Sequence, residues 1–480
     1  MRRGSVIGPL ILIAIGVLFL MRTLVPQIEI WGLLAVWWPV LLIGWGVLRL
    51  LEIAMNAAGS KPLPYNGVSG GEWVLIVFIC IVGSTAWAVH RHSWWGMGPW
   101  RGIVADMGEN YEYPLQETTT AAGKTPRVVI ESFRGNVRIT GSTDTAMVKV
   151  DGQKSVKTLS QKEADDANRQ TPLQVLANGG QIVVRTNQDK ANGRLWVSED
   201  LEITVPKGAT IEGHGIAGDF DITGIDGSVD ITSDNAGVRL QDIGGDVRVQ
   251  LDKSGIVRAV GVKGKAELRA SRGDDLELDN ITGSVTATGT WSGEVDLRNL
   301  AQAVKFEGQN VEFDAVKIPG QIRLSGSDFT GNDVTGPVRV RAQARDIQLT
   351  GFTQGLDLDV DRGDIELRPS KTGVPKMEVR VRSGDVDLAM PPQARFDLKA
   401  STDRGELRNE FGAPLQVHEA DNGDSGSITG VVGNGPEVHV STDRGTVTVR
   451  KAGPDDERAV NEKPEKPEKS GPAEGQRVEN

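Results

Sequence analysis

The sequence predicts an all-β protein: a β-solenoid (β-helix-like) body attached to an N-terminal bundle of two to three transmembrane helices. Three observations predict it. Long apolar runs fill the first hundred residues. From Gly218 onward one phrase keeps returning: Gly, a polar residue, then apolar-polar-apolar. The 480 residues include 59 Gly and only 5% aromatic residues, too few large side chains for one ordinary globular core. At roughly 150 residues per domain, the length allows about three folding units. The chain is made of two materials. Nine of its eleven Trp precede Arg101, and only Trp196 and Trp291 follow it. Residues 1–101 carry seven Lys/Arg against three Asp/Glu, leaving 46 against 61 for the rest. An acidic body without basic clusters excludes a phosphate-binding face, so no nucleic acid is expected as a partner. The single Cys80 excludes a disulfide framework and any multi-thiolate metal site.

A helix needs about 20 largely apolar residues to cross a bilayer. Residues 5–24 (SVIGPLILIAIGVLFLMRTL) supply one such span, with Arg22 near its end, and residues 31–51 (WGLLAVWWPVLLIGWGVLRLL) a second, in which Arg49 can snorkel to the headgroups. The run 73–90, between Glu72 and Arg91, is shorter and makes a third candidate. Arg2 and Arg3 give the first run the start of a signal peptide, but no small-x-small site follows, so cleavage is not expected. Trp near the ends of the runs suits the interfacial belt. Trp37, Trp38 and Trp45 lie inside the second span, beside Pro39, Gly44 and Gly46, and read as helix packing. No carboxylate, Lys or His stands mid-span, which disfavours a transporter. The N-terminal segment and the 52–72 loop, with Arg49, hold four basic residues, against Arg22, Arg91 and Arg101 on the other side. That bias predicts a cytoplasmic N-terminus and, after three crossings, an extracytoplasmic body. The region 1–101 is thus read as the membrane domain and 102–125 as a linker.

The body is expected over residues 126–452. PRVVIESFRGNVRITGSTDTAMVKV (126–150) reads as an opening hairpin, 153–174 as a polar short helix or long loop, and 182–187 and 201–211 as further strands. Then the repeat begins: GDFDI at Gly218, GSVDI at Gly227, GDVRV at Gly245, GEVDL at Gly293, GDIEL at Gly363, GDVDL at Gly384, GTVTV at Gly445. Alternation places Val247 with Val249, Val295 with Leu297, and Ile365 with Leu367 on one face, and Asp246, Arg248, Glu294, Asp296, Asp364 and Glu366 toward water. Each Gly supplies a corner, by positive φ or by close backbone approach. Two units make a coil of 18–20 residues, and no segment is helical enough for crossovers, so the chain coils on itself around small aliphatic side chains. The tail 453–480, with EKPEKPEKSGP, lacks apolar residues and is expected to be disordered.

VPKGATIEGHGIAGDFDITGIDGSVDITSDNAGVRL, AMPPQARFDLKASTDRGELRNEF and GNGPEVHVSTDRGTVTVRKAG together resemble the bacterial putative-adhesin family of Gly-Asp β-strand repeats, over residues 126–451. GPLILIAIGVLFLM followed by WWPVLLIGWGVLRLLE is similar to the LiaI/LiaF-like transmembrane region of envelope-stress proteins, over residues 4–52. The resemblance implies a membrane-anchored envelope protein with a β-solenoid body and no defined ligand. The third apolar run and the insertion at 153–174 depart from the bare pattern.

The chemistry that remains is sparse. Calcium-binding nonapeptides need Gly-Gly-x-Gly-x-Asp spacing, whereas here each Asp directly follows its Gly and reads as a solvated corner. His90, His92, His214, His418 and His439 are scattered, and no G-x-S-x-G elbow occurs. With many outward carboxylates in register, a pair at a polysaccharide hydrolase's separation arises by chance. Arg272-Gly273-Asp274 and Arg362-Gly363-Asp364 coincide with repeat corners, as do Asp403-Arg404-Gly405-Glu406 and Asp443-Arg444-Gly445-Thr446. The sequence therefore predicts no catalytic, cofactor or metal residue and no enzyme. It predicts a membrane-anchored cell-envelope protein whose body binds an envelope or surface protein or polysaccharide, its other partner being the lipid bilayer. The alternative is an envelope-stress sensor or scaffold whose helices regulate another membrane protein.

Overall fold

The chain divides between Val104 and Ala105 into two units. The computed structural model describes residues 109–453 apart from 145, 192–194 and 420–424, so the strands below belong to the second unit. The helices expected at 5–24, 31–51 and 73–90, and the tail from 454, lie outside the described residues. Among the described residues no helix is long and apolar enough to cross a membrane.

The described chain is all-β, with one short α-helix, Gln161–Gln170. Its strands form two ladders. In the first, Trp196–Pro206, Val137–Ser142, Phe220–Ile225 and Val238–Ile243 lie parallel and side by side, followed by the second halves of Val247–Val262 and Ala266–Ile281, then Val295–Leu300. In the other, Gln181–Arg185, Arg127–Arg134, Thr210–Ala217 and Val229–Asn235 run into the first halves of the same two long strands, then Val285–Trp291 and Val304–Glu307. Phe220 stands beside Val238 and Val247 beside Ala266, so a coil here takes 18 or 19 residues, and the later step from Leu356 to Met377 takes 21. The sequence-predicted pairs Val247 and Val249, Val295 and Leu297, and Ile365 and Leu367 are all at most 2% exposed in one continuous core. The ladders face each other across that core. The Phe220 ring fills the space above Gly213 and Gly215, where a Cβ would stand 2.9 Å and 3.1 Å from its atoms.

Corner glycines serve mainly close approach. A Cβ on Gly245 would lie 2.6 Å from the Gly227 carbonyl carbon, although the backbone of Gly245 has no positive φ. Gly363, with φ 143°, needs glycine for its dihedral as well.

One coil runs backwards. Val304–Glu307 folds against Val311–Ala315 and Ile318–Ser325 against Asp328–Asn332, both antiparallel, so the coil 311–325 crosses between the ladders in the opposite sense. Antiparallel pairs join it to Val295–Leu300 on one side and Val338–Ala344 on the other. Parallel coils then resume. Asp346–Phe352, Ile365–Pro369 and Val386–Met390 continue one ladder, and Leu356–Arg362 and Met377–Ser383 the other.

Both ends are built out of sequence order. Arg127–Arg134 and Val137–Ser142 form a coil between the later strands Gln181–Arg185 and Trp196–Pro206 on one side and Thr210–Ala217 and Phe220–Ile225 on the other. The last coil, Glu437–Thr442 and Val447–Lys451, likewise slots between Met377–Ser383 and Val386–Met390 and the earlier strands Phe396–Thr402 and Leu407–Asn409. Antiparallel strands close the stack, Met147–Thr158 on Trp196–Pro206 at one end and Gly426–Val432 on Phe396–Thr402 at the other. Such caps cover ladder edges that would otherwise recruit another chain.

Three expectations need correction. Residues 126–150 are no hairpin, because Gly135 and Asn136 turn the chain from one ladder into the other and both strands pair in parallel with later segments. The supposed linker 102–125 contributes Glu109–Pro114 and Thr118–Ala121, which pair with Met147–Thr158. That strand runs through 153–158, so only part of the 153–174 insertion is helix.

Candidate interaction surface

The predicted Gly-Asp corners do more than meet solvent. Stacking coils brings the backbone N–H of the next corner against the carboxylate of the one before. Asp200 Oδ1 accepts from Asn136 N at 2.7 Å, Asn136 Oδ1 from Asp219 N at 3.0 Å, and Asp219 Oδ1 from Gly237 N at 2.8 Å. Asp346, Asp364 and Asp385 form a second column, each accepting from the N–H one coil on, the last from Thr446 N at 2.7 Å. Asp246 binds Lys265 N and Asp275 binds Glu294 N in the same way. This corrects the reading of these residues as merely solvated: they satisfy corner donors that the strand ladders leave free. Replacing Asp346, Asp364 and Asp385 together by Ala is expected to cost about 3 kcal/mol in urea unfolding, about 1 kcal/mol per lost bond. The triple Asn variant, which keeps the acceptors, should unfold like the parent, and millimolar calcium should move neither curve.

The same geometry absorbs the Arg-Gly-Asp tripeptides. Asp364 bonds to Asp385 N, while Gly273 lies under the Trp291 ring and Asp274 accepts from Ser292 Oγ at 2.5 Å. Of the predicted histidines, His214 meets Glu212 at 2.9 Å, and the Arg127 guanidinium beside Glu212 holds that carboxyl below the usual range. His418 and His439 stand on different strands, and His90 and His92 lie outside the described residues. Among the described residues no group of three or more His, Cys, Asp or Glu is placed to hold a metal ion.

The outward faces carry charges matched across coils. Arg248 meets Glu267 at 2.8 Å, Arg258 meets Glu277 at 3.1 Å, Arg339 meets Asp357 at 3.2 Å, and Arg450 meets Asp387 at 2.9 Å. Exposed pairs of this kind contribute little each. The first ladder bears a charge on each rung from Asp221 through Arg239, Arg258, Glu277 and Asp296 to Arg323. The next rungs bring Thr330 and Gln348 instead, and charge resumes at Glu366. At this break, Gln321, Thr330, Gly331, Asn332, Gln348 and Thr350 line a hollow of about 140 Å³. A wider hollow of about 420 Å³ opens between Thr353 and Gln354 and the loop Thr372 to Lys376. Sequence reasoning missed the first hollow, because its residues lie on three strands brought together only by the inverted coil.

It also missed a buried ion pair in the N-terminal cap. Lys154 Nζ and Glu199 Oε1 are 3.1 Å apart with both side chains at most 1% exposed, and Nζ also donates to the Thr171 carbonyl oxygen and, at 3.2 Å, to Thr171 Oγ1. Burial pushes the Glu199 carboxyl up to about 7, with Lys154 opposing. The helix beside the pair starts at the Ser160 cap, whose hydroxyl accepts from Glu163 N, and is tied down by Tyr113 Oη donating to Asp165 Oδ1 at 2.7 Å. Burial and that carboxylate push the Tyr113 phenol up to about 12.

A two-ladder stack of short coils, with hydrogen-bonded corners and self-paired faces, defines a β-solenoid-like class of protein. Residues 126–450 match the model of the Toastrack DUF4097 family, and the chain belongs to that family. Residues 7–104 match the LiaF transmembrane domain. Among solved structures, the chain is similar to a putative cell adhesion protein from Clostridium sporogenes ATCC 15579 at 8% identity and a TM-score of 0.20, over 71% of this chain and 100% of that one. No curated protein matches the chain. The two domain matches fit a membrane-anchored envelope protein.

Proposed function

We propose that the Toastrack body is a binding module, displayed outside the cytoplasm by the N-terminal membrane domain, that engages an envelope or surface partner without catalysing a reaction. The observation behind this reading is the pairing in one chain of a LiaF transmembrane match with a long solenoid of stacked coils. A stack of this kind offers extended lateral faces, the part that repeat proteins use for recognition. A second reading is favoured by the transmembrane match itself: an envelope-stress sensor or scaffold whose helices engage another membrane protein.

Affinity capture from solubilised envelopes separates the two. The full chain would be compared with a variant whose residues 1–101 are replaced by a cleaved secretion signal. Partners retained by the body alone are the expected result, and partners lost with residues 1–101 would transfer the function to the helices. Protease added to spheroplasts should digest the body and spare an N-terminal tag. A protected body would place it in the cytoplasm and end the binding-module reading.

A further inference from the structure

We propose that the hollow lined by Gln321, Thr330, Asn332, Gln348 and Thr350 is a subsite for one neutral pyranose residue of a glycan. The assignment rests on reading the body as a binding module and names its ligand class.

The placement comes from the inverted coil. Ile318–Ser325 sets Gln321 beside Asn332, and Asp328–Asn332 sets Thr330 beside Gln348 and Asn332 beside Thr350. Five amide and hydroxyl groups therefore converge from three adjacent strands: Thr330 and Gln348 interrupt a row that is charged on either side, and Gln321, Asn332 and Thr350 lie between Arg298 and Arg368 in the row beside it. The flanking acids orient the amides. Gln321 Nε2 donates to Asp296 Oδ1 at 2.7 Å and Gln348 Nε2 to Glu366 Oε2 at 2.9 Å, which turns each NH₂ to its anchor and keeps each amide oxygen as an acceptor for a ligand hydroxyl. Those acids are themselves held by Arg298, 3.4 Å from Asp296, and by Arg368 beside Glu366, so the rim is neutral overall.

Asn332 supplies the second observation. Its Oδ1 is shielded from solvent and has no hydrogen-bond partner among the described residues. A buried acceptor without a donor is costly, and rotation about the soft terminal torsion of Asn presents either its oxygen or its NH₂ to the hollow. A hollow of about 140 Å³, open to the surface, leaves room for a single six-membered ring. Alternating hydroxyls and amide oxygens fit the vicinal hydroxyls of such a ring, which donate and accept at neighbouring positions. An acidic sugar would bring a further carboxylate beside Asp296 and Glu366, whose own cations are already engaged, so selection falls on uncharged residues over acidic ones. No aromatic platform is among the lining residues, so affinity for one residue is modest and a polymer would add avidity through repetition.

The test uses the full chain in a sugar-free zwitterionic detergent, titrated with the methyl glycosides of glucose, galactose, mannose and N-acetylglucosamine and followed by saturation-transfer NMR. Saturable transfer to ring protons of at least one glycoside is expected, with a dissociation constant on the order of 1 mM for so few contacts. Asn332→Ala and Gln348→Ala should each weaken it about tenfold, the loss of one hydrogen bond, with unchanged melting curves, while glucuronate should bind more weakly than glucose. Transfer from none of the glycosides, or transfer that both variants keep, overturns the subsite. If the body still captures its partner in that case, the binding module stands and only the ligand class falls. If it captures nothing and binds no glycoside, both fall.

Discussion

Val249→Asp and Leu297→Asp should each cost on the order of 4–5 kcal/mol, while Arg248→Ser, one residue away, leaves the melting temperature unchanged. Val249 is 1% exposed and stacks between Ile231 and Leu268 on the neighbouring rungs. Leu297 is fully buried between Leu278 and Ile322. A carboxylate at either place would be surrounded by aliphatic carbon, with no donor to replace water. Arg248 points the other way and contributes only an exposed pair with Glu267. Each coil touches only its neighbours, so a broken rung interrupts the stack at that level instead of being absorbed by a three-dimensional core. Far-UV circular dichroism melts of the full chain decide it. Equal tolerance of inward Asp and outward Ser would mean that the strands are turned by one residue, since a one-residue slip exchanges the two faces.

That register was legible because a period of two is a local property. The alternation in VRV, VDL and IEL survives any choice of partner strand, and the recurrence of 18–20 residues pointed to the stacking of successive coils. Partner choice at the ends was not legible. The coil Arg127 to Ser142 finds its neighbours more than forty residues downstream, in Gln181–Arg185 and Trp196–Pro206, with the cap strand and helix built in between. Nothing in a local pattern reports that insertion. The inverted coil was hidden for a related reason. Its turns at Gly308 and Gly326 carry the same Gly and polar residues as the corners, yet they fold the chain back where a corner sends it across. Corner Asp residues were read as hydrated because their acceptor role needs the N–H of another coil, which only stacking supplies. Lys154 and Glu199 each look like ordinary outward charges in polar strands, and become a pair only when Met147–Thr158 lies antiparallel to Trp196–Pro206, with Lys154 directly opposite Glu199.

That pair should make the stability of the N-terminal cap fall as pH rises. The folded-state pKa of Glu199, about 7, is above its ordinary value of 4.5, so between these limits the folded state holds a proton that the unfolded chain has released. Stability from this group is complete below about pH 4.5 and is lost progressively up to about pH 7, by roughly 3 kcal/mol in all. Glu199→Gln mimics the protonated form. It should remove the slope and leave the cap more stable than the parent at pH 8. Lys154→Met should do the reverse at that pH, costing about 3 kcal/mol or more, because it strands the carboxylate and also removes the donor to both Thr171 oxygens. The cost should shrink at pH 5.5, where the carboxyl is neutral and has little need of a counter-charge. Hydrogen exchange of the amides in Met147–Thr158, Gln161–Gln170 and Trp196–Pro206 resolves this local opening from global unfolding. A cap whose protection is flat from pH 5 to 8 in the parent, or a Glu199→Gln variant that keeps the slope, would show that Glu199 stays ionised throughout. The Lys154 contact would then outweigh desolvation.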